Sequence, residues 1–331
     1  MSVGQSPRVC QPLAEPVELA VRRQVSPGYV KCIWIANMLI WPEVAEHITT
    51  TTGRPFVANG QHVAGGGCIN AATVVQGGDQ RYFVKSNDAA KLDMFTAEAA
   101  GLNEIAHAQA IRVPAPICWG TSGDQAYLVL EYVEQGQPQP ESMTRLGQEL
   151  AQLHRSFSEH YGWHHDNTIG TTLQVNTPSS DWVDFWQRHR LGFQLELAKR
   201  NGHGGKLQRR GERLLANVGA FFRAGRPVAS LLHGDLWSGN YTFDEHGHPV
   251  IFDPAVYYGD HEADVAMTEL FGGFPSRFYD AYREAYPLEA GYEVRKTLYN
   301  LYHVLNHLNL FGGGYLSQAE RMIDMLLAEV E

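Results

Sequence analysis

Two hydrophobic rhythms divide the chain. From Val63 to Val133 apolar residues come in short runs broken by glycine turns; beyond Pro140 they recur mostly three and four apart. Residues 72–75 (ATVV), the turn Gly77-Gly78-Asp79 and residues 81–85 (RYFVK) predict a β-hairpin, fronted by Gly65-Gly66-Gly67. Leu92, Phe95, Ala99, Leu102 and Ala106 keep helical spacing and predict a helix that carries Glu98, ended by Pro114 and Pro116. Residues 126–133 (AYLVLEYV) predict a buried strand running into the Gly/Pro/Gln-rich connector 134–140. Met143, Leu146, Leu150 and Leu153 mark a helix ending near His154. Residues 231–254 break the helical rhythm: HGDLWSGN reads as a loop, and residues 241–243 and 250–252, with a turn at 244–247, as a small hairpin. Helices then resume, with Leu298, Leu301, Leu305 and Leu308 on one face, and the last is expected to open with a capping box at Ser317 and Glu320.

The layout is therefore α+β, with a strand-rich lobe over 38–133, a helical lobe over 134–331 and a cleft between them. Residues 1–37, broken by Pro7, Pro12, Pro16 and Pro27, are expected to be a flexible extension or a mis-assigned start, with Met38 as an alternative beginning. The composition changes little: 44% hydrophobic and 19% charged residues are ordinary for a globular chain. A net charge of −10 argues against a nucleic-acid binder. Cys10, Cys32, Cys68 and Cys118 form no CxxC pair, so neither a disulfide framework nor a zinc site is expected, and a reducing, cytoplasmic setting fits. No apolar run is long enough to span a bilayer, and the N-terminus lacks the pattern of a secretory signal.

The chemistry concentrates in His233-Gly234-Asp235-Leu236-Trp237-Ser238-Gly239-Asn240, followed by Phe252-Asp253-Pro254. Phosphoryl transfer to a hydroxyl needs a carboxylate that orients the hydroxyl and takes its proton, and oxygen ligands that hold magnesium against the phosphates. Asp235, Asn240 and Asp253 supply these groups if a tight loop and a returning strand bring them together. The same residue types also favour ordinary turns. What separates the readings is the joint spacing behind a glycine loop and a lysine at the end of an apolar strand. That lysine, Lys85, paired with Glu98, would hold the α- and β-phosphates, although Glu104 lies on the same helix. Gly65, Gly66 and Gly67 would admit phosphates to backbone amides, with Cys68 beside them as an inert filler or a redox-sensitive thiol. His303 and His307 stand four apart without an HExxH context, so packing or substrate contact is expected ahead of a metal site. Trp182, Phe185 and Trp186 are assigned to the core.

HGDLWSGN, together with Tyr258-Gly259-Asp260, Phe271-Gly272-Gly273-Phe274, Phe278-Tyr279-x-Ala281-Tyr282 and Leu301-Tyr302-His303-x-Leu305-Asn306-His307, resembles the fructosamine kinase (ketosamine 3-kinase) family. That family belongs to the protein-kinase-like fold and is related to aminoglycoside phosphotransferases and choline kinases. The resemblance runs from about residue 38 to the end. It implies Asp235, with His233, as the catalytic pair, Asn240 and Asp253 as magnesium ligands, and Lys85 and Glu98 as the phosphate-holding pair. It further implies Glu131, Tyr132 and Val133 at the adenine, Asp264 bracing the catalytic loop, and Trp237 and His303 against the sugar. The implied reaction is ATP- and Mg2+-dependent phosphorylation of a ketosamine, free or protein-borne, at its sugar 3-hydroxyl, which leads to deglycation. An aminoglycoside- or choline-type kinase and an inactive nucleotide-binding scaffold are the alternatives.

Overall fold

The computed structural model describes residues 41–64, 69–223 and 225–330. The expectations for residues 1–37 and for Gly65, Gly66, Gly67 and Cys68 lie outside the described residues. Among the described residues helix α1 (Trp41–Thr52) comes first, a helix that the sequence reading did not assign. Strands β1 (Gly60–Val63), β2 (Ala71–Gly77), β3 (Gln80–Asp88), β4 (Pro116–Ser122) and β5 (Gln125–Glu131) form one antiparallel sheet in the order β1-β2-β3-β5-β4, with α2 (Leu92–His107) between β3 and β4.

Alternation along β5 explains its unbroken apolar run. Tyr127 and Val129 join Val44 and Ile48 of α1 on one face, whereas Ala126, Leu128 and Leu130 join Phe95, Ala99 and Leu102 of α2 on the other. A strand covered on both sides has no reason to alternate polar with apolar. Lys85 does not end its strand, contrary to expectation. β3 runs three residues further, and Lys85 lies opposite Ala72 and Leu128 in the middle of the sheet. Ser86, Asn87 and Asp88 still lie in register with β5, because polar side chains do not stop a ladder whose backbone bonds are available.

After the connector, α3 (Ser142–Leu153) packs on α8 (Ser276–Ala285), and β6 (Asn167–Ile169) pairs with β7 (Thr172–Gln174). A continuous helical segment follows as α4 (Trp182–Phe185), a π-helical stretch at Trp186–Gly192, and α5 (Phe193–Arg200); α6 (Lys206–Asn217) comes next. Trp182, Phe185 and Trp186 are fully buried, as assigned. Strand β8 (Ser230–Leu232) pairs with β11 (Tyr257–Gly259), and between them lies the hairpin of β9 (Tyr241–Phe243) and β10 (Pro249–Ile251). The chain closes with α7 (Glu262–Leu270), α8, α9 (Tyr292–Phe311) and α10 (Leu316–Ala328). The capping box is not formed. Ser317 lies inside α10, and Tyr315, at the cap position, makes no side-chain cap, because a short 3-10 turn at Gly313–Tyr315 leads straight into the helix.

Candidate active site

Short strands β8 to β11 act as a bracket. Phe252 N donates to Asn240 O at 3.0 Å and Ala255 N to His233 O at 2.8 Å, closing the hairpin ends around the loop. Asn240 and Asp253 are thus neighbours although thirteen positions apart in sequence. Gly234 has φ +83°, and a Cβ there would lie 2.0 Å from Ala255 O, so only glycine fits. Asp253 adopts φ +57°, a left-handed conformation that costs a non-glycine residue roughly 1–2 kcal/mol, held by the hydrogen bonds on either side of it.

Asp264, at the start of α7, gathers the loop. Its Oδ2 accepts from His233 N at 2.6 Å and its Oδ1 from Gly234 N at 2.8 Å, while His154 Nε2 lies 3.1 Å from Oδ2. Burial opposes the charge on Asp264, but these donors outweigh it and hold the carboxyl below its ordinary range. The half-buried Asp235 is pushed the other way, up to about 7, by burial and by the negative charges of Asp253 and Asp264, against the Asn240 amide. Asn240 Nδ2 donates to Asp235 O at 2.8 Å, which leaves Oδ1 as the oxygen it can offer a cation.

Lys85 Nζ reaches Glu98 Oε1 and Asp253 Oδ1, each at 2.5 Å. Burial disfavours its charge, yet Asp253 and Glu98 together raise its pKa above the ordinary lysine value. Burial and Asp253 push Glu98 up while Lys85 pulls it down; with a cation at 2.5 Å we read Glu98 as one arm of an ion pair. Glu104 is engaged elsewhere, with Tyr258 Oη at 2.7 Å, so the two glutamates of α2 are distinguished by geometry.

His233 does not face the cleft. Its fully buried Nδ1 accepts from Asp235 N at 3.2 Å, so Nε2 carries the hydrogen donated to Phe252 O at 2.9 Å. Burial lowers its pKa, and the neutral ring links the loop to the strand before Asp253. His303, expected against the sugar, is enclosed as well. It is only 5% exposed, its Nδ1 has no partner, and burial with the nearby His307 takes its pKa to about 3. One helical turn on, the half-buried His307 packs at a tilt against Phe271, ring centroids 4.8 Å apart, and Phe271 meets Trp237 edge-on at 6.3 Å. Phe271 and His307 stood inside motifs picked out in the sequence, but their shared wall is a tertiary fact. Trp237 can fold over its own loop because a Cβ at Gly239 would lie 2.4 Å from the indole.

Glu131 Oε1 accepts from Arg112 Nη2 at 2.7 Å, and Arg112 Nη1 donates to Asp244 Oδ2 at 2.7 Å. Tyr132 lies under the Arg81 guanidinium. The connector docks on the hairpin through Gly136 N and Phe243 O at 2.9 Å.

Among the described residues no three His, Cys, Asp or Glu side chains form a metal cage. Asp253 with the Asn240 amide oxygen is the sparse donor set that suits Mg2+, which keeps waters and phosphate oxygens. Chemistry, not concavity, marks this site. A hollow of about 310 Å³ lies elsewhere, beside Arg112, Arg145 and Glu149.

The family model described as fructosamine kinase matches residues 40–329. A protein of Synechocystis sp. named a probable ketoamine kinase is 49% identical over 288 residues, covering 87% of this chain and 97% of its own. The chloroplastic protein-ribulosamine 3-kinase of Oryza sativa subsp. japonica is 42% identical over 279 residues, covering 83% and 80%. A solved structure from Haemophilus somnus, named as a candidate fructosamine-3-kinase, superposes with TM-score 0.79 at 30% identity over 86% of this chain and 96% of that one. The architecture is the two-lobed protein-kinase-like α+β fold.

Proposed function

Because the chain belongs to the fructosamine kinase family, we propose that it transfers the γ-phosphoryl group of ATP to the sugar 3-hydroxyl of a ketosamine. The observation that carries this reading is the convergence of Asp235, Asn240 and Asp253 beside the Lys85–Glu98 pair. Asp235 orients the acceptor hydroxyl and takes its proton as the new O–P bond forms and ADP leaves. A carboxyl pushed up to about 7 is a fitting proton acceptor near neutral pH. Asn240 and Asp253 would hold Mg2+, which supplies charge neutralisation at the phosphates. Lys85, kept charged by two carboxylates, is the group for the α- and β-phosphates. The end of β5 and Tyr132-Val133 meet the adenine, as in the sequence reading. Trp237, Phe271 and His307 form a wall on which the apolar face of a sugar can lie.

Phosphate at the 3-position destabilises the adduct and frees the amine, so deglycation is the proposed role, in the cytoplasm. The buried thiol of Cys118, pushed up to about 12 by burial, is compatible with a reducing setting. Incubation with ATP, Mg2+ and a panel of fructosamines, ribulosamines and erythrulosamines tests the reading by ³¹P NMR of the product. A new sugar 3-phosphate is expected. Turnover confined to an aminoglycoside or an amino alcohol would refute the ketosamine assignment, and nucleotide binding without turnover would favour a scaffold. Asp235→Asn should abolish transfer and leave nucleotide affinity nearly intact.

A further inference from the structure

Behind Asp264 runs a chain of buried polar groups that the reaction itself does not use. Tyr282 of α8 is fully buried, and its hydroxyl sits between two ring nitrogens, His154 Nδ1 at 2.7 Å and His261 Nδ1 at 2.8 Å. His154, also fully buried, lies with Nε2 3.1 Å from Asp264 Oδ2, the oxygen that receives His233 N. A hydroxyl has a single hydrogen, so at most one of the two histidines can accept from Tyr282 and at least one must donate to it. An ionised Asp264 is acceptor-only, and a hydrogen-bearing Nε2 on His154 satisfies it. In a neutral ring that leaves Nδ1 bare, to accept the Tyr282 hydrogen. His261 must then carry its hydrogen on Nδ1. The reverse polarity sets the bare Nε2 of His154 against a carboxylate. His261 is held neutral, its pKa taken to about 3 chiefly by burial, so it has one hydrogen to place.

We propose that Tyr282, with His261 behind it, is a positioning residue for phosphoryl transfer: it fixes the His154 tautomer that keeps Asp264 clamped on the amides of His233 and Gly234. The chain reads His261 Nδ1–H to Tyr282 Oη, Tyr282 Oη–H to His154 Nδ1, and His154 Nε2–H to Asp264. The inference rests on the kinase reading for its activity readout but not for its spectroscopic one.

In the wild-type protein with ¹⁵N-labelled histidine, His154 should show a protonated Nε2 and a bare Nδ1, and His261 a protonated Nδ1, with resonances assigned from His154→Gln and His261→Asn. A protonated Nδ1 on His154, whether as the other tautomer or as an imidazolium, overturns the proposal without any variant having to fold. For activity, Tyr282→Phe should lower kcat about 10-fold, the scale of losing an outer partner of a site residue, with KM for ATP nearly unchanged. Glutamine at 154 presents an amide N–H2 toward Asp264 and has no tautomer to set. In the His154→Gln background Tyr282→Phe should therefore cost less than about 2-fold, the difference being the coupling of a double-mutant cycle. Equal losses in both backgrounds would make Tyr282 a packing residue and defeat the proposal. A protein without turnover on any ketosamine would fail the kinase reading and leave the tautomer measurement standing.

Discussion

Single residues carry the strictest requirements. Gly234→Ala places a methyl 2.0 Å from Ala255 O at a φ of +83° and must displace the loop. Shifting a catalytic group by an ångström costs on the order of 100-fold, so kcat should fall at least that far in steady-state assays. Buried histidines set the acid limit. His261 and His303 have folded pKa values near 3, lowered first by burial, whereas an unfolded histidine titrates near 6.5. The unfolded chain therefore binds protons that the folded chain excludes. Stability is full above pH 6.5 and falls as pH drops toward 3, by up to about 1.4 kcal/mol per unit and histidine. Urea midpoints between pH 7.5 and 5 should show this slope, and His303→Leu should flatten it. The sequence displayed Asp235, Asn240 and Asp253 plainly, because their types and spacing are themselves the chemistry. It did not separate His303 from His307, since both fit the same helical period. Which of them meets the cleft depends on how α9 is rotated against Phe271.

Elements built from local pattern were legible, and those that depend on distant partners were less so. The β9–β10 hairpin and helices α2 and α3 follow from turn residues and spacing. α1 was missed because Val44 and Ile48 mark its apolar face so sparsely. Their value appears only when β2, β3 and β5 supply the opposing surface. The extent of β3 beyond Lys85 was hidden for a related reason, since a buried cation makes sense only with Glu98 and Asp253 in place. Between α7 and α9 lies another such partnership. Arg295 Nε and Nη2 donate to Glu262 at 2.6 and 2.8 Å, both side chains buried. Arg295→Leu strands the Glu262 charge and should destabilise the fold by about 3–5 kcal/mol in denaturant titrations. Replacing both residues with apolar ones of similar volume should restore much of that loss.

At the scale of the whole molecule, Lys85 joins the sheet lobe to Asp253 just beyond the β9–β10 hairpin. Lys85 pairs directly with Asp253, so on the proposed function a divalent cation and ATP must compete with an ion pair already formed. Saturating Mg-ATP, binding only the folded state, should raise the melting temperature, with about 2.7 kcal/mol of added stability at 100-fold excess over Kd. Asp253→Ala should lose most of the magnesium-dependent part of that rise in a thermal-shift titration.

Arg112 makes a second tie between the sheet and the hairpin. With one guanidinium nitrogen on Glu131 at the end of β5 and another on Asp244 in the hairpin turn, it ties the two halves where the connector crosses. Such a stay makes that edge the spine of a book. Any opening of the covers is most restrained along that spine, where Arg112 holds both sides at once.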